Sequence, residues 1–211
     1  PGVYQSRIFG DAPYRVQIIL LDTRTFRDRQ LLADRPEGSK GSLGKYAPNP
    51  DSAAQMLGER QWTWLEQQLG KPAELRFIAS STQIIPDQKG MDEWGNYPLE
   101  RQRLFRMVEE TGVDGVVLLS GTVHFSELSQ STEGFYPVIE FTSSGLTHVN
   151  ETYPEVPNEY RSGEPVVEVN FGLVDIDWLA GDQPRITFRV VNDRGLQVMS
   201  HSVSASNLVS Q

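Results

Sequence analysis

Residues 115–128 run from an apolar stretch into Ser120-Gly121-Thr122-Val123-His124, with Glu127 three residues further on. A buried strand that delivers an imidazole from its C-terminal end is how α/β proteins place metals and catalytic groups. Residues 14–21 repeat the pattern and end in Asp22-Thr23-Arg24. Residues 75–79 do so before Ser80-Ser81-Thr82-Gln83, and residues 135–141 before Thr142-Ser143-Ser144-Gly145-Leu146-Thr147-His148. Each polar end alone is more often a turn. Together, four apolar runs with polar ends predict one rim of a sheet lined with chemistry.

Among the candidates, His124 reads as a metal ligand before a structural histidine. Arg24 could pair its planar fork with a phosphate or with a site carboxylate, or form a structural salt bridge to Asp22 or another acid. Asp22 reads as a residue that orients ligands from behind. His148 lines the site or hydrogen-bonds within its own loop. Glu127 supports the site or is an ordinary helix residue. Trp94 and Tyr97 wall a pocket or fill the core. His201 falls in an outer strand and reads as structural.

The elements that must hold these residues follow from periodicity. After the first strand comes a polar loop, residues 27–51. Ser52-Ala53-Ala54-Gln55 fits a capping box, predicting a helix to about Leu69 with Trp62, Leu65 and Leu69 on one stripe, ended by Gly70 and Pro72. An irregular loop over residues 84–97 precedes Pro98, which suits a first helical turn. Leu104, Met107 and Val108 give that helix its apolar face, and Gly112 stops it. Residues 166–177, 184–192 and 195–203 alternate apolar and polar and predict antiparallel hairpins. The chain reads as one α/β unit with a second, antiparallel sheet.

Composition bounds the class. The chain has 211 residues, 38% hydrophobic and 22% charged, ordinary for a globular protein that buries a substantial core. No apolar run reaches membrane-spanning length. The net charge of −9 and the lack of a basic run argue against a nucleic-acid scaffold role. Cysteine is absent, which excludes thiolate metal sites and disulfides within these residues. No Gly-x-Ser-x-Gly elbow is present, which argues against serine chemistry.

Leu21-Asp22-Thr23-Arg24, residues 56–65, Ser80-Ser81-Thr82-Gln83, Glu93-Trp94-Gly95-Asn96-Tyr97-Pro98, residues 120–128 and residues 142–148 occur in an order and spacing that resembles the PhoD-like alkaline phosphatases of the calcineurin-like metallophosphoesterase superfamily. The resemblance implies a two-sheet αββα sandwich with metal ions at the strand ends. It implies hydrolysis of phosphate monoesters or diesters by a metal-bound hydroxide. Divalent ions are implied, calcium among them, with iron, zinc or manganese as a second metal. Such chemistry must remove about 20 kcal/mol of barrier, a scale only positioned charge supplies.

Carried over residue by residue, the resemblance makes His124 and position 122 metal ligands, with Thr122 standing where an Asp, Asn or His is usual. It places Gln83 where a later ligand lies. Arg24, Gln83 and His148 become catalytic candidates, with Asp22 and Glu127 behind them. The early metal motifs of the family lie in an N-terminal half, and only three histidines occur here. The expectation is therefore that residues 1–211 form the C-terminal part of one metallophosphoesterase domain, completed by an N-terminal half as a separate chain or cleaved fragment. The resemblance also implies export, to the periplasm or the exterior. The alternative is a catalytically silent relative that serves as a binding or scaffold module.

Overall fold

The computed structural model describes residues 2–34, 44–132, 137–151, 158–181 and 183–209. Part of the long loop over 27–51, the first residues of the run 135–141, residues 152–157 and Asp182 between two of the C-terminal runs lie outside the described residues. A six-stranded sheet forms the centre, built from β1 (Gln5–Phe9), β2 (Val16–Leu20), β5 (Leu75–Ala79), β6 (Val116–Ser120), β7 (Ser126–Ser131) and β8 (Val138–Ser143) in the order β1-β2-β5-β6-β8-β7. The four strands β2, β5, β6 and β8 run parallel, and β1 and β7 pair antiparallel at the two edges. The expected neighbours β2, β5 and β6 are adjacent, so their C-terminal ends share one rim. Two short strands, β3 (Leu31–Leu32) and β4 (Tyr46–Ala47), pair within the long loop.

Pleating sends successive residues of a strand to opposite faces. Glu140 faces one layer and accepts from the backbone N–H groups of Ile84 and Ile85. On the same face Gln17 donates to the carbonyl of Gln68 in α1 (Glu59–Leu69) at 2.9 Å. Next to Glu140, Phe141 faces the other way and meets Phe188 at 5.4 Å between ring centroids. Phe188 belongs to the three-stranded antiparallel sheet of β9 (Asn170–Asp177), β10 (Arg185–Asn192) and β11 (Gln197–Ser204). Helices therefore cover one face and a second sheet the other, the mixed α/β arrangement expected. Coverage on both faces explains why β5 and β6 are near-continuous apolar runs.

Helix α2 (Pro98–Thr111) begins at Pro98 and ends at Gly112, which takes the left-handed conformation (φ 61°). Helix α1 differs from expectation. It starts at Glu59, seven residues after the apparent capping serine. The intervening N–H groups are taken by other carboxylates: Ala53 locally by Asp51, and Gln55 and Met56 by the distant Asp28 and Glu100. Gly58, at φ 76°, then turns the chain into the helix.

Strand β7 has the polar sequence Ser126-Glu127-Leu128-Ser129-Gln130-Ser131, yet it is almost wholly buried. It is a strand, not a helix, because its polar groups find partners. Ser126 bonds Asn170 at 2.6 Å, Ser129 accepts from Asn158 at 3.0 Å, and Glu127 is held from two sides.

Candidate functional site

The rim is a seam of hydroxyls. The Thr23 hydroxyl, just past β2, lies 2.5 Å from that of Ser81, just past β5. Thr122, just past β6, donates to the Ser81 carbonyl. A Cβ on Gly121 would meet Ser81, Ser143 and Ser144 at 3.9 Å, so all three strand ends crowd around it. Asp22 is buried at the base of this seam. Its carboxylate accepts from the N–H groups of Val3 at 3.0 Å, Arg24 at 3.0 Å and Thr25 at 2.9 Å. Burial pushes its pKa up, but these hydrogen bonds outweigh burial and bring it down to about 2. Asp22 is thus fixed as an anion that orients the turn bearing Arg24.

The turn after β6 is held in an unusual conformation. Thr122 has φ 73° and His124 φ 62°. Positive φ is costly for a β-branched residue such as threonine, by about 1–3 kcal/mol, and such outliers persist where the surroundings over-determine them. Here the Thr122–Ser81 bond and the Asn150 N–H, which donates to the His124 carbonyl at 2.9 Å, do so. The result sets the half-buried His124 ring edge-on to the exposed His148 ring, 4.0 Å between centroids. The Thr147 hydroxyl lies 3.1 Å from Nδ1 of His148. Two imidazoles from two different strand ends therefore meet at one point of the rim.

Gln83 and Glu127 sit below that point, in a buried polar network. Gln83 donates to Glu127 at 2.7 Å and to Thr142 at 2.9 Å, and accepts from Lys89 at 2.5 Å. Glu127 also accepts from Arg161 at 2.6 Å. Thr142 reaches Ser120 at 2.8 Å, which ties the ends of β6 and β8 together. Lys89 is 1% exposed, and burial lowers its pKa. Burial likewise pushes Glu93 up to about 7 and raises Glu140. Sequence reasoning had no signal for Lys89, because a lysine in a polar loop reads as solvated. Trp94 and Tyr97 are buried, with Trp94 edge-on to Trp62 at 6.3 Å, so they fill core. His201 lies in β11 as expected, near Gln130 at 3.4 Å, and burial lowers its pKa.

The chain matches the sequence description of the PhoD-like phosphatases over residues 2–204. It belongs to the PhoD-like phosphatase family. It is 31% identical over 120 residues to alkaline phosphatase D of Bacillus subtilis, a match covering 51% of this chain and 19% of that protein. A solved structure described as PhoD superposes with a TM-score of 0.59 at 19% identity, over 98% of this chain and 45% of that one. A Plasmodium structure described as GAP50, the anchor in the inner membrane complex, gives a TM-score of 0.60 at 13% identity, over 97% of this chain and 55% of that one. The chain thus spans about half the length of these structures, and the structural likenesses are likenesses of fold.

The family implies divalent metal. His124 fits it as an imidazole donor and the Thr122 hydroxyl as a weak second, with the His148 ring beside His124. The neighbouring carboxylates are committed: Asp22 to backbone N–H groups, and Asp92 to Arg24, Arg27 and Gln30. Among the described residues no group of three or more His, Asp or Glu side chains is arranged to hold an ion. Among the described residues no helix is long and apolar enough to cross a membrane.

Proposed function

We propose that this chain is the C-terminal part of a metal-dependent phosphoesterase domain whose remaining ligands come from an N-terminal half, covalent or separate. The observation that carries the reading is the meeting of His124 and His148 at a rim of four parallel strand ends, with His124 locked at positive φ. A bound divalent ion would place positive charge against the phosphoryl oxygens and acidify a coordinated water. His124 would hold that ion, with Thr122 as a weak additional donor. Arg24 would pair with the phosphoryl oxygens and His148 would hand a proton to the leaving oxygen. Gln83 and Glu127 would act through Thr142 and Ser120 to keep the strand ends in register.

Calcium, with iron, zinc or manganese as a second ion, and an exported location extend the same reading from the family. Native mass spectrometry for a co-purifying segment, combined with metal titration and hydrolysis of a chromogenic phosphomonoester and diester, tests it. Metal-dependent turnover that fails in His124→Ala supports it. Turnover unchanged in His124→Ala overturns it. Folded protein with no metal binding and no turnover, even with an N-terminal half supplied, would favour a non-catalytic module, in line with the anchor role ascribed to the GAP50 relative.

A further inference from the structure

Three donors spaced three residues apart, Arg24, Arg27 and Gln30, converge on one carboxylate, that of Asp92. Arg24 meets Oδ2, Arg27 meets Oδ1, and Gln30 donates to Oδ1 at 2.8 Å. Two guanidinium groups against one carboxylate leave a local excess of positive charge on a chain of net charge −9. Planar guanidinium forks match the oxygens of carboxylate and phosphate alike. The position is reachable chiefly through Arg24, whose side chain is 46% exposed, with Asp92 at 23% and Arg27 at 17% behind it. A cleft of about 360 Å³, lined by Lys45, Tyr46, Met91, Asp92, Thr122 and Val123, joins the carboxylate to the turn that carries His124.

We propose that Arg24 and Arg27 form a two-guanidinium fork for the phosphoryl group of the substrate, and that the Asp92 carboxylate is the resident anion that the substrate displaces. This rests on the phosphoesterase reading above and adds Arg27 as a substrate-binding residue. The turn carrying Asp92 is anchored, because Glu93 accepts from the N–H groups of Lys89 at 3.0 Å and Gly90 at 2.9 Å. Exchange therefore needs only rotation of the Asp92 side chain into the cleft. A phosphate dianion brings more charge and more acceptor oxygens to the same donors than one carboxylate.

The probe is inorganic phosphate, titrated calorimetrically into the metal-loaded protein and its variants, with a melting curve for each. Asp92→Asn should tighten phosphate binding by roughly fivefold or more, the scale of one charge-assisted contact released. It should also make the melting temperature rise more on adding phosphate than in wild type. Arg27→Ala should weaken phosphate binding about tenfold and raise KM more than it lowers kcat, with partial recovery in Arg27→Lys. Phosphate affinity unchanged or weaker in Asp92→Asn, with no added thermal response to phosphate, overturns the fork and leaves Asp92 as a structural brace. His124→Ala separates the two readings. Phosphate binding that still responds to Asp92→Asn, in a protein whose wild type turns over no ester with any metal, upholds the fork and fells the phosphoesterase reading. Turnover that depends on His124 but ignores Arg27 and Asp92 does the reverse.

Discussion

In the three-stranded sheet, the face turned toward Phe141 carries Val174 and Ile176, Ile186, Phe188 and Val190, and Met199 and Val203, with His201 opposite Phe188 and a register shift after Val190 as the departures from apolar alternation. At the rim of the six-stranded sheet, the segments after the strands alternate nothing. They hold hydroxyls, a buried aspartate, two residues at positive φ and two imidazoles in contact. The first region is specified by burial of apolar area and has few ways to go wrong. The second is specified by hydrogen bonds between segments far apart in sequence, and it tolerates strain. On the proposed function, stability resides in the one and chemistry in the other, and substitutions should sort accordingly.

The largest stability effect belongs to the sheet. Phe188→Ala empties a fully buried site and should cost about 3–5 kcal/mol by denaturant unfolding, while the folded fraction keeps its metal affinity. A loss of metal affinity in step with stability would break the separation. His124→Ala should do the opposite. It should abolish metal at one position and cut turnover by at least ~10²-fold, since changes behind a ligand alone cost about 10–100-fold, with a small shift in unfolding midpoint.

Asp22 bridges the two categories. Its folded pKa of about 2 lies below the ordinary value, so its contribution is complete above pH about 4 and is lost as pH falls toward 2. Asp22→Asn should therefore cost about 1–2 kcal/mol at pH 7, and the gap to wild type should narrow at pH 3. A gap constant with pH would mean that the charge of Asp22 is not what the turn uses.

Thr122→Asn should stabilise the fold by up to about 1 kcal/mol, because asparagine tolerates positive φ better than a β-branched residue. Thr122→Asn and Thr122→Asp should both bind metal more tightly, a carbonyl or carboxylate oxygen being the better donor. If both bind metal more weakly, the Thr122 hydroxyl on the Ser81 carbonyl is part of a working site. At the small end, Arg189→Ala removes an exposed ion pair with Asp175 on the outer face of the small sheet and should leave the unfolding midpoint unchanged within error.

What the sequence reveals divides along the same line. The parallel strands, their shared rim, helix α2 and the C-terminal hairpins are legible because apolar periodicity and Pro and Gly punctuation are local signals. Three features are not. The start of α1 escapes because carboxylates distant in sequence, Asp28 and Glu100, take the N–H groups that a capping box would have served. Strand β7 escapes because Ser-Glu-Leu-Ser-Gln-Ser is buried by partners rather than by apolarity. The Arg24–Asp92–Arg27 cluster escapes because nothing in residues 24–30 announces a contact more than sixty residues away. His124 and His148 are legible as candidates one at a time. Their contact depends on two φ values that no pattern encodes.

Buried Lys89 has a practical consequence. Four lysines occur in the chain, and Lys45 and Lys71 are exposed whereas Lys89 is sealed beneath the rim. An acylating reagent will meet Lys45 and Lys71 on the native protein at once. It will reach Lys89 only when the packing that holds this amine against Gln83, Glu93 and Glu127 opens. The modification rate of that one amine, followed by peptide mapping, is therefore a built-in clock for opening of the rim.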